Sequence, residues 1–561
     1  MAKPAPRCVC QPRLRSLHRF RDCLMRPVPA IRQEVLYGQR IVRCFADRPP
    51  TIGQMFQDAA TANGRRTAIV AGDRRISYAE LARNVDCVAS NLMRSGFGKG
   101  ERIALLMDNE VEFVVSFLAV AKAGLISVPL NTRQREPEIA FAINQCRASA
   151  LIADASYLRN VPDASRIPSV RSLFVAGGEE AGAAHPFAKL MADNGYVEPP
   201  AIDQEDTVCI LYTSGTTGQP KGAMLTHVST IHSVLHYAWA FDLSNRDVSF
   251  LSVPASHVTG LVAILLATIH AGGTTVILRN FKARHFLQEA SRERITYSLM
   301  VPAMYNLCLL EPDFGSFDLA SWRIAAFGGA PMPPATIERL RETLPELGLY
   351  NVYGSTETCS PVTILPAADI AVNPDSVGKP LPLADVVIVD ENGREVAPGE
   401  RGEMLVGGPM VVPGYWDNDD ATAKSFLGGY WMSGDIGCED ADRYVRLFDR
   451  RKDMINRGGF KIYSVEVENV LAQHPAIVEA AVVGYPDPVL GERVAAFVFA
   501  DGKPLGEEDV RMFCSERLSD YKVPEMVELL NAPLPRNANG KVSKVNLRNL
   551  LAGTNLPGLS S

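Results

Sequence analysis

The sequence lacks the cysteine pattern of a secreted, disulfide-stabilised protein. Its 11 cysteines are scattered over 561 residues, with no paired CxxC element and no dense cluster. Cysteines distributed in this way are typical of reduced thiols, so the sequence predicts a cytoplasmic location.

Long apolar runs and a strong charge of either sign are also absent. The longest apolar runs, such as residues 258–269, are shorter than the ~18 residues that a membrane span requires, so we interpret them as core segments. The formal net charge of −6 provides no basic field to hold nucleic acid or an anionic membrane. Hydrophobic residues make up 47% of the chain and charged residues 21%, the balance of a globular protein. The composition therefore favours small-molecule partners.

Residues 1–47 form a basic extension that we predict to be disordered. Acids are scarce and a continuous apolar stretch is missing, which excludes a secretory signal. An organelle transit peptide is the alternative, although the segment lacks the serine enrichment of such peptides. A translation start at Met25 is a further interpretation. The basic residues on which this rests are Lys3, Arg7, Arg13, Arg15, Arg19, Arg21 and Arg26.

Beyond residue 51, strand-length apolar runs alternate with segments of helical period. The pattern predicts helices over 79–94 and 110–123 and strands over 102–107 and 126–129. Such alternation is typical of parallel sheets with crossover helices, so we predict an α/β fold with parallel layers.

Two later segments depart from this pattern. Residues 377–408 alternate and carry Gly and Pro, which predicts a small antiparallel β unit with a hairpin turn at 391–393. The charged cluster at 449–453 (DRRKD) precedes a compact segment of about a hundred residues. We therefore predict a large domain over 48–449 and a small, mobile α+β domain over 450–561.

A loop rich in glycine and hydroxyl groups follows the strand-like DTVCILY at 206–212. The loop, TSGTTGQPKG at 213–222, allows backbone N–H groups and hydroxyls to approach phosphate oxygens, and Lys221 supplies a positive charge. Its spacing is not that of a Walker A loop, because Pro220 precedes the lysine. A flexible linker is the alternative, but a linker does not ordinarily join an apolar strand to Pro-Lys-Gly and a helix-like segment.

This loop resembles the signature of the adenylate-forming superfamily, which includes acyl-CoA synthetases, firefly luciferases and nonribosomal adenylation domains. The resemblance spans residues 50–545, and further segments match family elements in order. They are PASHVTG (254–260), FGGAPMPP (327–334), NVYGSTE (351–357), WMSGD (431–435), DRRKDMINRGGFKI (449–462) and PRNANGK (535–541).

The resemblance implies an ATP site. The glycine- and hydroxyl-rich loop is expected to hold the β- and γ-phosphates, Thr356 the α-phosphate and Glu357 the Mg²⁺ ion. Asp435 and Arg450 are expected at the ribose; the alternative for Asp435 is a turn cap. Residues 328–331 are expected along the adenine, with Tyr353 stacking on it. The expected nucleotide-binding residues are Thr213, Ser214, Gly215, Thr216, Thr217, Gly218, Lys221, Gly328, Gly329, Ala330, Pro331, Asn351, Tyr353, Gly354, Asp435 and Arg450.

The C-terminal segment is expected to carry a catalytic lysine and a hinge. By resemblance, Lys541 bridges the substrate carboxylate and the ATP phosphates, and Lys452 is the hinge of a rotating domain. Gly458 and Gly459 resemble the lining of the coenzyme A tunnel. Lys461 and Ser464 depart from the family pattern, where Asn, Gln or Arg and then Pro are common.

The resemblance also locates the acid pocket. PASHVTG lacks the Asp that binds an α-ammonium group, which argues against an amino acid, and Val352 replaces the Arg of malonate activators. A monocarboxylate with an apolar body, fatty or aromatic, fits best. His257 is expected to orient the carboxylate, with a buried structural histidine as the alternative. The expected pocket residues are His257, Val258, Thr259, Gly260, Met304, Phe327 and Ser360.

These features predict an acid–CoA ligase that uses ATP, Mg²⁺ and coenzyme A and passes through an acyl-adenylate. Alternatives are a ligase that loads a carrier protein and a luciferase-like oxygenase. A non-catalytic nucleotide-binding regulator is disfavoured, because Lys221, Glu357, Asp435 and Lys541 are all retained.

Overall fold

The computed structural model describes residues 27–178, 184–213, 220–330, 332–500, 502–537 and 541–551. The predictions for Ser214, Gly215, Thr216, Thr217, Gly218, Pro331 and residues 1–26 lie outside the described residues. In the described ranges, the strands form an N-terminal hairpin, two large sheets and a smaller C-terminal sheet. The predicted α/β fold class is confirmed.

The first large sheet is built from residues 102–226. Strands Lys221–Thr226 and Thr207–Thr213 pair antiparallel, and the other neighbouring strands of this sheet are parallel. The strands predicted over 102–107 and 126–129 are confirmed. In spatial order, the described strands are Lys221–Thr226, Thr207–Thr213, Ile126–Pro129, Arg102–Leu106, Ala150–Asp154, Ser172–Ala176 and His185–Pro186.

The second large sheet has a parallel centre and an antiparallel flank. Its predicted hairpin is confirmed, since Asp390 N–H donates to the Arg394 carbonyl at 2.8 Å and Gly393 has a φ of +74°. The antiparallel β unit continues the parallel strands in one sheet. In spatial order, the described strands are Asp385–Val389, Gly402–Gly407, Tyr430–Glu439 (with Phe426–Leu427 at its side), Val445–Arg450, Ser376–Pro380, Thr363–Leu365, Gly348–Tyr353, Ile324–Gly328, Tyr297–Met300, Val248–Leu251, Thr274–Ile277, Thr67–Ala71 and Arg74–Ser77.

Helices cover both large sheets. The two predicted helices are observed as Tyr78–Arg94, whose Ser77 cap accepts from Glu80 N–H at 3.2 Å, and Val111–Lys122. A π-helix at Thr259–Leu266 runs into Ala267–His270, and this segment is almost wholly buried, as predicted for 258–269. The other described helices before the C-terminal unit are Ile52–Asn63, Glu136–Cys146, Ala188–Met191, His227–Phe241, Ala283–Glu293, Pro302–Leu309, Pro334–Thr343, Ala367–Ile370 and Asp419–Ser425.

Helix Val111–Lys122 is apolar on nearly every face. It packs against strands Arg102–Leu106 and Ile126–Pro129 on one side and against helices Ile52–Asn63 and Tyr78–Arg94 on the other. A helix covered on all sides is expected to lack an amphipathic pattern. It forms part of the main core.

The N-terminal hairpin corrects, for residues 31–45, the prediction that residues 1–47 are disordered. Strands Ile31–Leu36 and Arg40–Phe45 pair antiparallel and bury Leu36 and Phe45. Phe45 N–H donates to His232 Nε2 at 3.2 Å, and the Tyr37 hydroxyl bonds Thr226 Oγ1 at 2.8 Å. The prediction failed here because the buried side chains of Leu36, Cys44 and Phe45 and the long-range contacts outweigh the basic composition.

The C-terminal unit is a small α+β layer, as predicted. Its strands in spatial order are Phe460–Ile462, Ile455–Arg457, Gly491–Phe499 and Glu479–Asp487, with Met526–Leu530 parallel to Gly491–Phe499. Its described helices are Ser464–Leu471, Glu507–Ser515 and Lys544–Leu551. It has hydrophobic clusters of its own. Arg450 still belongs to strand Val445–Arg450 of the second large sheet, and the division between residues 449 and 450 stays a prediction.

Within the part of the chain that is described, no helix is both long enough and apolar enough to cross a lipid bilayer.

Candidate active site

The predicted site residues come from neighbouring strand ends. Parallel strands Val248–Leu251, Tyr297–Met300, Ile324–Gly328 and Gly348–Tyr353 lie side by side in the second large sheet. Their carboxyl ends meet at one edge, which is where ligands bind in open α/β sheets. The segments that follow them contain His257, Met304, residues 328–330 and residues 354–357, so the topology gathers distant sequence motifs at one edge.

Lys541 of the C-terminal unit faces this edge. Its loop is closed locally, because Asn537 N–H donates to the Lys541 carbonyl at 2.9 Å and Lys541 N–H donates to Asn537 Oδ1 at 3.0 Å. Lys541 as a residue is exposed, whereas its ammonium group is surrounded by protein atoms. Desolvation of this group lowers the pKa of Lys541, the charge of Arg450 lowers it further, and Asp435 and Glu357 act in the opposite direction.

Asp435 is held by two side chains. It lies on strand Tyr430–Glu439 directly opposite Arg450 of strand Val445–Arg450. The Tyr353 hydroxyl donates to Asp435 Oδ2 at 2.5 Å, and Arg450 Nε lies 3.3 Å from Oδ1. Burial raises the pKa of Asp435, while Arg450, Tyr353 and Lys541 lower it. The carboxylate is therefore fixed in orientation and has acceptor positions left for a further donor.

Glu357 is a buried carboxylate in the short 3₁₀ turn Thr356–Thr358. The Tyr415 hydroxyl donates to its Oε1 at 2.9 Å, and Ser355 Oγ donates to its Oε2 at 2.6 Å. Among the described residues it forms no ion pair, and no group of three His, Cys, Asp or Glu side chains forms a metal cage. A buried charge without a cationic partner is costly. This donor set therefore fits Mg²⁺, which uses one or two carboxylates together with phosphate oxygens.

The ends of the phosphate loop lie close to Glu357. Thr213 and Lys221 are paired across the antiparallel hairpin, with Thr213 Oγ1 donating to the Lys221 carbonyl at 3.3 Å. Lys221 Nζ lies 5.1 Å from the centre of the Tyr415 ring, whose hydroxyl bonds Glu357. The loop returns as strand Lys221–Thr226, which pairs with Thr207–Thr213, and the helix predicted from Thr226 follows it as His227–Phe241 with Thr226 as its N-cap.

The expected adenine segment is tightly packed against its neighbouring strand. A Cβ at Gly328 would lie 2.4 Å from the Val352 carbonyl oxygen, so only glycine fits there. Gly329 follows with a φ of +77°, a left-handed conformation that favours glycine. The described part of the predicted segment, residues 328–330, thus lies directly beside Val352 and its strand.

The predicted acid pocket is mostly apolar and buried. Val258, Met304 and Phe327 are buried, and His257 is half-buried. Ser360 Oγ is bonded to the buried Tyr237 hydroxyl at 2.6 Å. The other predicted residues are Gly260, buried; Thr259, half-buried; Gly354, exposed; and Asn351, whose Nδ2 donates to the Ser376 carbonyl at 3.1 Å.

The expected hinge and thiol-tunnel residues lie in the C-terminal unit, apart from this cluster. Gly458 and Gly459 form the exposed tip of the hairpin Ile455–Arg457 and Phe460–Ile462, and Gly458 N–H donates to the Leu490 carbonyl at 2.7 Å. Lys452 is exposed in the turn that follows strand Val445–Arg450. Their expected roles stay predictions.

Sequence reasoning missed the residues that hold the charged groups. Tyr415 bonds Glu357, and Ser433 Oγ accepts from Asp435 N–H at 3.0 Å. Neither has a spacing that indicates chemistry. For Tyr415 the useful signal is spatial, because Trp416 N–H donates to the Gly222 carbonyl at 2.8 Å and so ties this segment to the phosphate loop.

A buried carboxylate suited to Mg²⁺, a second carboxylate clamped by arginine and a lysine from a separate small unit together define an adenylate-forming enzyme. The sequence comparisons agree. Residues 56–416 match the AMP-binding enzyme family and residues 466–541 match the AMP-binding enzyme C-terminal domain, so the chain belongs to this family.

Curated relatives align over nearly their whole length. A feruloyl-CoA synthase of Amycolatopsis sp. is 35% identical over 86% of this chain and 95% of its own. A long-chain-fatty-acid–CoA ligase, FadD13, of Mycobacterium tuberculosis is 33% identical over 90% of this chain and 99% of its own.

A solved structure matches at the level of both domains. O-succinylbenzoate coenzyme A synthetase of Bacillus subtilis, in complex with ATP and magnesium ion, is 29% identical and superposes with a TM-score of 0.78 over 90% of this chain and 100% of that one. The recognised family and the predicted two-part fold are confirmed.

Proposed function

We propose that this chain is an ATP-dependent acid–CoA ligase that converts a monocarboxylic acid, ATP and coenzyme A into acyl-CoA, AMP and pyrophosphate. The observation that carries the proposal is geometric: the buried Glu357 carboxylate is bonded by Tyr415 and Ser355, and Asp435 is held by Tyr353 and Arg450. The charges of both carboxylates act on the ammonium group of Lys541 in the C-terminal unit. A lysine and a buried carboxylate suited to Mg²⁺ would together offset the negative charge of the ATP phosphates, which otherwise opposes attack by the acid carboxylate. The relatives, named as CoA ligases of aromatic and fatty acids, support the same reaction.

In the first half-reaction, a carboxylate oxygen of the acid attacks the α-phosphorus of ATP and pyrophosphate leaves. Lys541 donates to the acid carboxylate and the phosphates, and its charge is matched to the charge that develops during transfer. Lys221 and Thr356 hold phosphate oxygens, and Asp435 accepts from the ribose hydroxyls. Glu357 would hold Mg²⁺, which would supply positive charge to neutralise the phosphates.

In the second half-reaction, the thiol sulfur of coenzyme A attacks the acyl carbon, the thiol proton is released and AMP leaves. The space beside the adenylate must then open to the thiol. We assign this step to a rotation about Lys452 that withdraws Lys541 and brings Gly458 and Gly459 to the site. Glycines without side chains suit a narrow tunnel for pantetheine.

The acid is a monocarboxylate with an aromatic or aliphatic body. The predicted pocket is lined by Val258, Met304 and Phe327, and Val352 is buried where a second carboxylate would need a cation. His257 orients the single carboxylate at the mouth of the pocket. An aromatic acid is supported by the feruloyl-CoA synthase and an aliphatic one by FadD13.

The location that we propose is the cytoplasm, which supplies ATP and coenzyme A. All of the described cysteines are free thiols, which agrees with a reducing compartment.

A panel of acids tests the proposed function. AMP and pyrophosphate release is measured for benzoate-type, cinnamate-type and C4 to C16 fatty acids, each with and without free coenzyme A. We expect turnover to depend on coenzyme A and to yield the acyl thioester. Adenylate formation that coenzyme A does not accelerate, with transfer to a carrier protein, would instead establish a carrier-loading ligase. Oxygen uptake coupled to adenylate would establish an oxygenase.

Asp435→Ala is expected to raise the apparent KM for ATP by roughly tenfold or more, since hydrogen bonds to a charged acceptor contribute about 1.5 to 3 kcal/mol. The KM for the acid should change far less. The matched substrate control is 2′-deoxy-ATP with the unmodified enzyme, which should also bind more weakly. Equal use of ATP and 2′-deoxy-ATP is the outcome that contradicts the ribose role.

A further inference from the structure

Asn109 is a buried amide that bonds four backbone groups of other segments. It lies between strand Arg102–Leu106 and helix Val111–Lys122 and is only 4% exposed. Its Nδ2 lies 3.2 Å from the Leu251 carbonyl, 3.0 Å from the Val253 carbonyl and 3.2 Å from the Leu278 carbonyl. Its Oδ1 accepts from Ala255 N–H at 2.8 Å. The side chain thus uses both its donor and its acceptor ends.

Three of these four groups belong to the segment that leads to His257. Strand Val248–Leu251 ends at the first acceptor, and Val253 and Ala255 flank Pro254. His257 N–H then donates to the Pro254 carbonyl at 3.1 Å. Residues 251–257 begin at the last residue of a strand of the second large sheet. Their conformation is therefore held by the Asn109 side chain, which follows a strand of the first large sheet.

The same segment has little freedom on its other side. A Cβ at Gly260 would lie 2.4 Å from the Pro254 carbonyl oxygen and 3.0 Å from that of Val253. Gly260 lies in the first turn of the buried π-helix Thr259–Leu266, which follows His257. The Val253 carbonyl lies between Gly260 and the Asn109 amide, so a loss of the amide bond frees a turn that is otherwise packed closely.

Arg279 forms ion pairs with the two residues that flank Asn109. Arg279, which directly follows the Leu278 acceptor, has Nε 3.1 Å from Asp108 Oδ2 and a terminal nitrogen 2.9 Å from Glu110 Oε1. Its other terminal nitrogen lies 2.9 Å from Asp154 Oδ2. Residues 108–110 are therefore clamped at the junction between the two large sheets, with the Asn109 side chain pointing inward.

We propose that Asn109 is a positioning residue for the acid pocket, which fixes the loop of residues 251–257 and thereby the position of His257. This inference rests on the proposed function, because it assigns that loop to the acid. Asn109 acts through the backbone and does not touch the substrate. An amide is required, since a carboxylate at this point would face three carbonyl oxygens and an alanine would leave buried groups unsatisfied.

The test compares Asn109→Ala and Asn109→Asp with a matched control, Asn91→Ala. Asn91 is likewise buried, and its Nδ2 donates to the carbonyls of Leu190 at 2.9 Å and Ala192 at 2.8 Å, in a part of the fold that forms none of the predicted site. KM and kcat are measured for ATP and for several acids of different size, together with the melting temperature.

We expect both Asn109 variants to raise the KM for the best acid by tenfold or more and to flatten the preference among acids, with the KM for ATP within twofold. Asn91→Ala should lower the melting temperature by a similar amount without changing either KM. A rise in both KM values together, or an acid KM that stays unchanged in a folded Asn109 variant, overturns the proposal.

A second variant keeps the proposal testable if the Asn109 variants do not fold. Arg279→Gln loosens the same clamp from the surface, where the arginine side chain is 46% exposed. It should raise the acid KM by about threefold and leave the KM for ATP unchanged, whereas an unchanged acid KM counts against the clamp. If the unmodified enzyme forms no AMP with any acid, the proposed function fails. If it is active and only these variants show no effect on the acid, the positioning role alone fails.

Discussion

Lys541→Ala is expected to lower acid-dependent ATP–pyrophosphate exchange by several hundredfold and to leave thioester formation from supplied acyl-adenylate within about threefold. A preorganised cation matched to developing charge contributes about 3 to 4 kcal/mol, which corresponds to that factor in rate. The charges of Asp435 and Glu357 act on the Lys541 ammonium group, which agrees with the proposed role of this lysine in adenylation. Thiol attack on a finished adenylate does not involve the pyrophosphate that the lysine helps to expel.

The matched control is Lys503→Ala, which removes an exposed lysine of the same unit whose Nζ donates to the Pro475 carbonyl at 3.1 Å. It should leave both half-reactions unchanged. Each half-reaction is followed separately, by exchange of labelled pyrophosphate and by acyl-CoA formation from synthetic adenylate. Equal loss of both in Lys541→Ala would show that the lysine has a structural role.

Helices and strands whose apolar residues recur at a regular spacing could be predicted from the sequence. The strand at Ile126–Pro129 and the helices Tyr78–Arg94 and Val111–Lys122 lie where apolar spacing predicts them. The hairpin Ile31–Leu36 and Arg40–Phe45 was missed because its stability comes from contacts with residues such as Thr226 and His232, far along the chain.

Site residues could be predicted from the sequence only where they lie in segments that match family motifs. Asp435, Glu357 and Lys541 were identified because they lie in segments that resemble a family, and the structure brings them to one cleft. Asn109 was not predicted. Its four backbone partners lie 142 to 169 residues away in sequence, so no local pattern marks it.

The contacts between the two units bear directly on the hinge. Buried Ser464 donates its Oγ–H to Asp449 Oδ2 at 2.7 Å, and its N–H bonds the same carboxylate oxygen. Asp449 precedes the expected hinge at Lys452 and Ser464 follows it. A rotation about Lys452 must therefore break these bonds. Ser464 thus stabilises the described arrangement through its N–H and Oγ–H donors.

Lys452→Pro is expected to keep acid-dependent ATP–pyrophosphate exchange within about fivefold and to lower CoA-dependent product formation by a hundredfold or more. Asp453 N–H and Met454 N–H both donate to the Arg450 carbonyl, at 2.8 and 3.0 Å, so the hinge lies in a tight turn. Among the described residues, the Lys452 N–H donates to no acceptor, and proline at this position removes no hydrogen bond from the adenylation pose. The ring fixes φ near −65° and restricts Arg451, which opposes the change in backbone angles that rotation requires.

Lys452→Ala is the control, since it removes the same side chain and leaves the backbone free, and it should retain both half-reactions. The melting temperature of each variant separates a restricted hinge from a destabilised fold. In Lys452→Pro the acyl-adenylate should accumulate on the enzyme, because the step that consumes it needs the second pose. If exchange is lost while coenzyme A still reacts with supplied adenylate, the turn at Arg450 is needed for adenylation and the rotation occurs elsewhere. The proposed rotation thus predicts that a chain locked in either pose completes only one of the two half-reactions.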